Sequence, residues 1–398
     1  MPGNPSTSLF ASPNSCVSPT VESTPPPDLA RVEHLAIVGT GLVGASIGLA
    51  AQKAGPMVVS GWDPNGEALA QAHARGAITR PTATLTEAVA GADLALVAAP
   101  VAELAAQIAE TLAATDSACT VTDVGSTKSA ICESVAEPER FIGGHPMAGS
   151  EARGAEHATA ELFQGATWFL APLTETRPER YKLVHAFVAS LGAVPVAIAP
   201  EAHDRLVALT SHLPHALANV LLNQAGSARV DGHEPLAAAG GSLRDMTRVA
   251  GANPGIWVDI FLDNADVLRE VLAEHRRGLE ELETALAKRD AGFLGRWIGD
   301  ASGHRKRLLA EAYPDAGALY RLEVHVPDRP GVFAAITQAF ASDGINIEDF
   351  EVRHMSPERG GTLELLVGED DAERAAALLE AQGYDAIAVP VVSDAEQG

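Results

Sequence analysis

The stretch His34-Leu35-Ala36-Ile37-Val38-Gly39-Thr40-Gly41-Leu42-Val43-Gly44 decides how the chain reads. A short apolar run ends in G-x-G-x-x-G, and the Ala-rich segment Ala45 to Ala54 continues with helical character. Strand, glycine turn and helix in that order open a dinucleotide-binding fold. The first glycine permits a tight turn, the second lets backbone approach a pyrophosphate, and the third lets helix and strand pack closely. The phosphates would rest on the helix N-terminus, where unpaired N–H groups and the helix dipole favour anions. Gly39, Thr40, Gly41, Leu42, Val43 and Gly44 are therefore candidate cofactor contacts.

Downstream the pattern repeats. Met57 to Gly61, Ala92 to Ala98 and Ala118 to Asp123 read as strands with helical segments between them. This predicts a Rossmann-type, doubly wound α/β sheet over residues 32–172. Asp63 stands about twenty residues beyond the glycines, at the end of the second strand, where a carboxylate accepts hydrogen bonds from an adenosine ribose. It disfavours a 2′-phosphate, so the expected cofactor is NAD. Asp63 also reads as a turn residue or helix cap ahead of Pro64-Asn65-Gly66. Pro100, in Ala99-Pro100-Val101, ends a later strand at the carboxyl edge that lines the crevice.

A chain of 398 residues exceeds what one core usually organises. Residues 1–31 are rich in Pro, Ser and Thr and have neither a basic start nor a continuous apolar core; they read as a disordered tail, not a signal or spanning helix. After Pro172, apolar-periodic segments dominate: Arg177 to Leu191, Glu201 to Ala225, Pro254 to Arg289 and Ala291 to Leu309. An all-helical domain over 173–312 follows, with more apolar surface than one layer buries, so a homodimer is expected. Over 317–393 the order is βαββαβ, a ferredoxin-like arrangement. The balance of 52 acidic against 28 basic residues gives a net charge of −24, which repels nucleic acid and anionic membranes. A few arginines in a cleft still suit an anionic small molecule. Cys16, Cys119 and Cys132 form neither a disulfide framework nor a metal spacing, which fits a reducing cytoplasm.

Four further segments carry chemistry: Asp123-Val124-Gly125-Ser126-Thr127-Lys128, Gly143-Gly144-His145-Pro146-Met147-Ala148-Gly149-Ser150-Glu151, Thr210-Ser211-His212-Leu213-Pro214-His215 and Gly240-Gly241-Ser242-Leu243-Arg244-Asp245-Met246-Thr247-Arg248. With the glycine turn, their order and spacing resemble the prephenate/arogenate dehydrogenase family over most of residues 34–310. The resemblance implies oxidative decarboxylation of a cyclohexadienol, prephenate to 4-hydroxyphenylpyruvate in tyrosine biosynthesis, or arogenate to tyrosine directly. Such a reaction needs a base for the hydroxyl proton, and imidazole titrates near operating pH. His145, read as part of a Gly/Pro-rich loop, resembles the family's catalytic histidine. Ser126 resembles the residue that hydrogen-bonds the same hydroxyl, and it also reads as the N-cap of the next helix. Lys128 reads as solvated or as a source of positive potential.

Arg248 matches the family arginine that binds a substrate carboxylate, a task suited to a bidentate fork; alone it reads as a surface partner of Asp245. Arg244 is a supporting candidate. His215 and Ser211 resemble residues that face the substrate. His212 and His215 share a helix face but lack a third ligand at a persuasive distance, so no metal is expected. Glu151 resembles an acid at the pocket mouth and also reads as a helix-start acid. Asp204 reads as an exposed acid or as a residue orienting a catalytic histidine.

Asp328-Arg329-Pro330-Gly331-Val332 and Asp343-Gly344-Ile345-Asn346-Ile347 resemble the ACT family of paired amino-acid-binding domains. The resemblance implies an effector site at Arg329, Pro330, Gly331, Asn346 and Ile347, with tyrosine as the expected effector; a dimerisation module without a ligand is the alternative. Two other readings compete for the whole chain. A different Rossmann-plus-helical dehydrogenase would not need the His-Pro and Ser-His-Leu-Pro-His segments together. A regulator with degenerate chemistry would not need Ser126, His145 and Arg248 in their motifs.

Overall fold

Alternation along the first strand builds two cores at once. Successive side chains of a strand point to opposite faces. Leu35 and Ile37 enter one apolar cluster with Ala45 and Ile47 of the following helix, while Ala36 and Val38 enter a second cluster with Leu104 and Ile108. A strand buried on both faces is the signature of a parallel sheet covered on both sides. The computed structural model describes residues 32–149, 152–313, 318–327, 329–356 and 360–391; the expected tail and Glu151 lie outside them. It divides into two units, one ending at His275 and one beginning at Arg276.

In the first unit the strands are β1 (His34–Val38), β2 (Val58–Trp62), β3 (Arg80–Pro81), β4 (Leu94–Val97), β5 (Thr120–Asp123), β6 (Phe141–Pro146), β7 (Thr167–Pro172) and β8 (Val194–Ala197). They form one sheet in the order β3-β2-β1-β4-β5-β6-β7-β8, parallel except for the β6–β7 pair. The first six strands have the doubly wound order that reverses between β1 and β4. The sheet runs past the expected limit at Pro172: the helix Pro178–Ser190 packs into the first core through Val184 and Phe187, and β8 closes the edge. Arg177 to Leu191 therefore serves the sheet and not the helical domain. β8 escapes sequence reading because its short Val-Pro-Val-Ala run is mostly exposed.

Beyond the sheet the chain is helical. Pro200–Val207 passes through a π-helical turn, Ala208–His212, into Leu213–Ser227. The expected helix Pro254 to Arg289 is broken at Asn264 into Pro254–Asp263 and Ala265–Lys288. Val220, Ile256 and Leu262 remain exposed, as large apolar side chains awaiting a partner would be.

In the second unit, β9 (Leu319–Val326), the helix Val332–Ser342, β10 (Asp349–Ser356), β11 (Gly360–Gly368), the helix Glu369–Ala381 and β12 (Ala386–Pro390) give the expected βαββαβ order. Their antiparallel sheet, β10-β11-β9-β12, has its own core, including Leu322, Val324, Ile336, Phe340, Leu365 and Leu379. Among the described residues no helix is long and apolar enough to cross a membrane, and no cluster of three His, Cys, Asp or Glu side chains is placed to hold a metal.

Candidate active site

The cofactor crevice opens where the strand order reverses, beyond Val38 and Val97. Gly39 has φ +94°, and a Cβ there would strike the Ala98 carbonyl. At Gly44 a Cβ would strike the Gly39 carbonyl, whereas at Gly41 it would meet open space. The three positions thus divide into turn, helix contact and open approach, as a bound pyrophosphate requires. The helix Leu42–Ala54 has no side-chain cap and no acid in its first turn, which leaves its N-terminal N–H groups for an anion. Asp63 Oδ2 accepts from Thr40 N–H at 2.7 Å and from the Thr40 hydroxyl at 3.1 Å, while Oδ1 accepts from Asn65 N–H at 2.8 Å. Both readings of Asp63 meet here: it shapes the local turn and stands against the glycine loop. Pro100 is exposed at the N-cap of Val101–Ala114. This set fits a dinucleotide.

His145 is not in a loop; it lies near the carboxyl end of β6, opposite Phe169 of β7. Its Nδ1 lies 2.9 Å from His203 Nε2, and His203 Nδ1 lies 2.8 Å from Asp204 Oδ1. Asp204 also accepts the N–H groups of Lys128 and Ser129, each at 2.8 Å. It is therefore a buried partner of a histidine and not an exposed acid. Through these bonds Asp204 satisfies the start of the helix Ser129–Ser134, the cap that Ser126 was equally suited to provide. The Ser126 hydroxyl makes no hydrogen bond to a described residue.

Lys128 is not solvated either. Only 1% of it is exposed, and its Nζ lies 2.5 Å from Asp123 Oδ2. Asp123 also accepts from Gly125 N–H at 2.8 Å and from Gly144 N–H at 2.9 Å. The sheet encloses this carboxylate, and a buried carboxylate needs a cation and donors around it. Burial, followed by the nearby His203, Lys128 and His212 rings and ammonium, pushes the His145 pKa well below the ordinary histidine value. For Asp204 burial acts upward, but the hydrogen bonds from His203, Ser129 and Lys128 outweigh it and hold the carboxyl below its ordinary value.

His212, in the π turn, is buried and its pKa falls to about 4, mainly through desolvation. The Asn264 amide donates to the Asp204 carbonyl at 2.9 Å and lies 3.2 Å from His212 Nδ1. Trp257 lies edge-on to His212 and stacks on His215, with ring centroids 3.4 Å apart. Burial lowers the His215 pKa, and its Nδ1 is buried without a partner among the described residues. Ser211 is half-buried in the same π turn.

The Arg248–Gly251 turn packs against the helix Leu213–Ser227 that carries His215. Arg248 is exposed, and no hydrogen bond or ion pair ties it to a described residue, so the pairing with Asp245 is not formed. Arg244 donates to the Ala239 carbonyl. In the second unit, Arg329, Pro330 and Gly331 precede the helix Val332–Ser342, while Asn346 and Ile347 follow it. Its 11 residues separate the two segments by about 16 Å. Gly331 has φ +91°, and the Asn346 amide donates to Glu348 at 2.7 Å.

His203, Asn264 and Trp257 were missed from sequence. Pro200, His203, Asp204 and Val207 are the buried residues of their helix, at i, i+3, i+4 and i+7. Two titratable residues on an otherwise apolar stripe are the signal that marks His203.

A dinucleotide crevice, with an imidazole near the carboxyl edge of the same sheet and a helical module behind it, defines a nicotinamide-dependent dehydrogenase. The models of the prephenate dehydrogenase nucleotide-binding domain, the prephenate dehydrogenase dimerization domain and the ACT domain match residues 47–197, 199–300 and 320–383. A prephenate dehydrogenase of Bacillus subtilis is 31% identical over 359 residues, covering 88% of this chain and 96% of its own. Among solved structures, a prephenate dehydrogenase from A. aeolicus in complex with hydroxyphenyl propionate and NAD+ has a TM-score of 0.65 at 27% identity, covering 69% of this chain and 98% of that one. An arogenate dehydrogenase from Synechocystis has a TM-score of 0.63 at 26% identity, covering 69% of this chain and 99% of that one. The chain belongs to the prephenate dehydrogenase family.

Proposed function

We propose that the chain converts prephenate to 4-hydroxyphenylpyruvate in tyrosine biosynthesis, with NAD as cofactor, as a cytoplasmic homodimer. The observation that carries the reading is His145: an imidazole whose pKa is lowered mainly by burial, at the carboxyl edge of a nucleotide-binding sheet and tied through His203 to Asp204. NAD supplies the hydride acceptor. Gly39 to Gly44, Asp63 and Pro100 hold it, with the open face at Gly41 and the uncapped helix N-terminus receiving the phosphates. His145 takes the proton of the substrate hydroxyl, and Ser126 orients that hydroxyl with its uncommitted Oγ. Arg248 binds a substrate carboxylate, its guanidinium being exposed and unpaired. His215 and Ser211 line the substrate side. Matched pairs of dimerization domains would cover the exposed Val220, Ile256 and Leu262.

The ACT module is read as a tyrosine sensor. Since one helix holds its two effector segments about 16 Å apart, a single tyrosine needs those segments from two copies. The likeness to the Synechocystis arogenate dehydrogenase favours arogenate as the second substrate reading. Following reduced-cofactor absorbance with prephenate and, separately, with arogenate decides between them. Replacing His145 with Asn should lower kcat about 10²- to 10⁴-fold with the preferred substrate. Silence of the native chain with both substrates would sink the proposal.

A further inference from the structure

We propose that His203, clamped by Asp204, is the positioning residue that makes His145 a base at Nε2, by fixing it in the tautomer with its proton on Nδ1. The inference rests on the reading of His145 as the general base. A neutral imidazole carries one proton and one lone pair, and either nitrogen can hold either. The chain of contacts removes that freedom. An ionised Asp204 oxygen can only accept, so His203 Nδ1, 2.8 Å away, bears a hydrogen. A His203 ring that carries its single hydrogen at Nδ1 presents a lone pair at Nε2. His145 Nδ1, 2.9 Å from it, must donate, and the His145 lone pair is left at Nε2.

The described residues enclose the clamp. His203 is 0% exposed and Asp204 is 3% exposed. Phe169, the cross-strand neighbour of His145, meets the His203 ring edge-on at 5.5 Å. Asp204 is itself held by the N–H groups of Lys128 and Ser129, so one carboxylate sets both the imidazole pair and the segment that follows Ser126. When the substrate O–H bond breaks, its proton forms the His145 Nε2–H bond and the ring becomes an imidazolium. That positive charge is directed through Nδ1–H and His203 towards the Asp204 carboxylate, whereas the neighbouring Lys128 charge is already matched by Asp123.

The test pairs a tautomer measurement with kinetics on the full chain. Selective ¹⁵N-histidine spectra, assigned with His145→Asn and His203→Gln, should show protonated Nδ1 and lone-pair Nε2 at His145. His203→Leu should lower kcat about 100-fold with KM within about twofold, and His203→Gln, whose amide oxygen can accept from His145 Nδ1–H, should recover most of the loss. A proton on Nε2 in the native enzyme would overturn the proposal, even if both variants misfold. So would full kcat in His203→Leu, or equal losses in the Leu and Gln variants with the His145 tautomer unchanged. Retained turnover in His145→Asn would instead sink the base reading, and the positioning role with it, while the tautomer signal stood as expected.

Discussion

His145 is surrounded by groups that bias its charge. His203 and Asp204 come from the helix Pro200–Val207, Lys128 from the segment after β5, and His212 from the π turn. Burial, His203, Lys128 and His212 act downward, and Asp204 opposes them without reversing the shift. Acting as the proposed base, His145 works deprotonated, so activity is lost as pH falls through its lowered folded pKa. The acid limb of kcat/KM, which reports the free enzyme, is therefore expected below the ordinary histidine value near 6.5. Rate profiles from pH 4 to 9 check this, and a limb at or above 6.5 contradicts it. Arg248 predicts a different signature. Arg248→Gln removes the charged fork and keeps a polar side chain, costing about 1.5–3 kcal/mol of charged hydrogen bonding, or roughly a 10- to 150-fold rise in KM. Steady-state kinetics with prephenate measures it; an unchanged KM would remove Arg248 from the carboxylate site.

At the scale of elements, the interruption at Asn264 is where the helical module is tied to the histidine cluster. Asn264 is buried and its amide serves both the Asp204 carbonyl and His212 Nδ1. Asn264→Leu fills similar space but leaves the buried His212 Nδ1 without its amide partner and the Asp204 carbonyl with the Ala208 N–H alone, a cost of about 1–3 kcal/mol. Thermal unfolding should show a lowered midpoint, and an unchanged one would mean water replaces the amide. That break was not legible in the sequence, because the apolar period runs through Asn264 without a glycine or proline. The glycine turn, the strands β1, β2, β4 and β5, and the βαββαβ module were legible, since each depends on local period and turn chemistry. β8 was not, being short and mostly exposed, and the placement of His145 in β6 was hidden by the Gly-Gly and Pro around it. Lys128 reads as solvated and His203 escapes sequence reading for another reason: their carboxylate partners, Asp123 and Asp204, are close in sequence, but burial of such side chains shows only once the sheet and the helix enclose them.

At the scale of the whole molecule, the apolar cores are separate. The ACT core draws on residues from Leu322 to Ala386, and the clusters on either side of the nucleotide sheet draw on residues from Val32 to Ala193. Removing the ACT module therefore takes no apolar partner from the sheet cores that frame the crevice. If that module senses tyrosine, a chain ending at Tyr313 should keep its basal turnover and lose inhibition by tyrosine, because the segments Arg329 to Gly331 and Asn346 to Ile347 are gone. Reciprocity makes this testable from the other side: an effector that lowers affinity for substrate must itself bind less tightly when substrate is present. Calorimetric titration of tyrosine into the full chain, with and without a saturating substrate analogue, should show the weaker binding. Equal inhibition of the full and shortened chains would place the tyrosine site outside the ACT module, with competition at the proposed substrate site as the physical alternative.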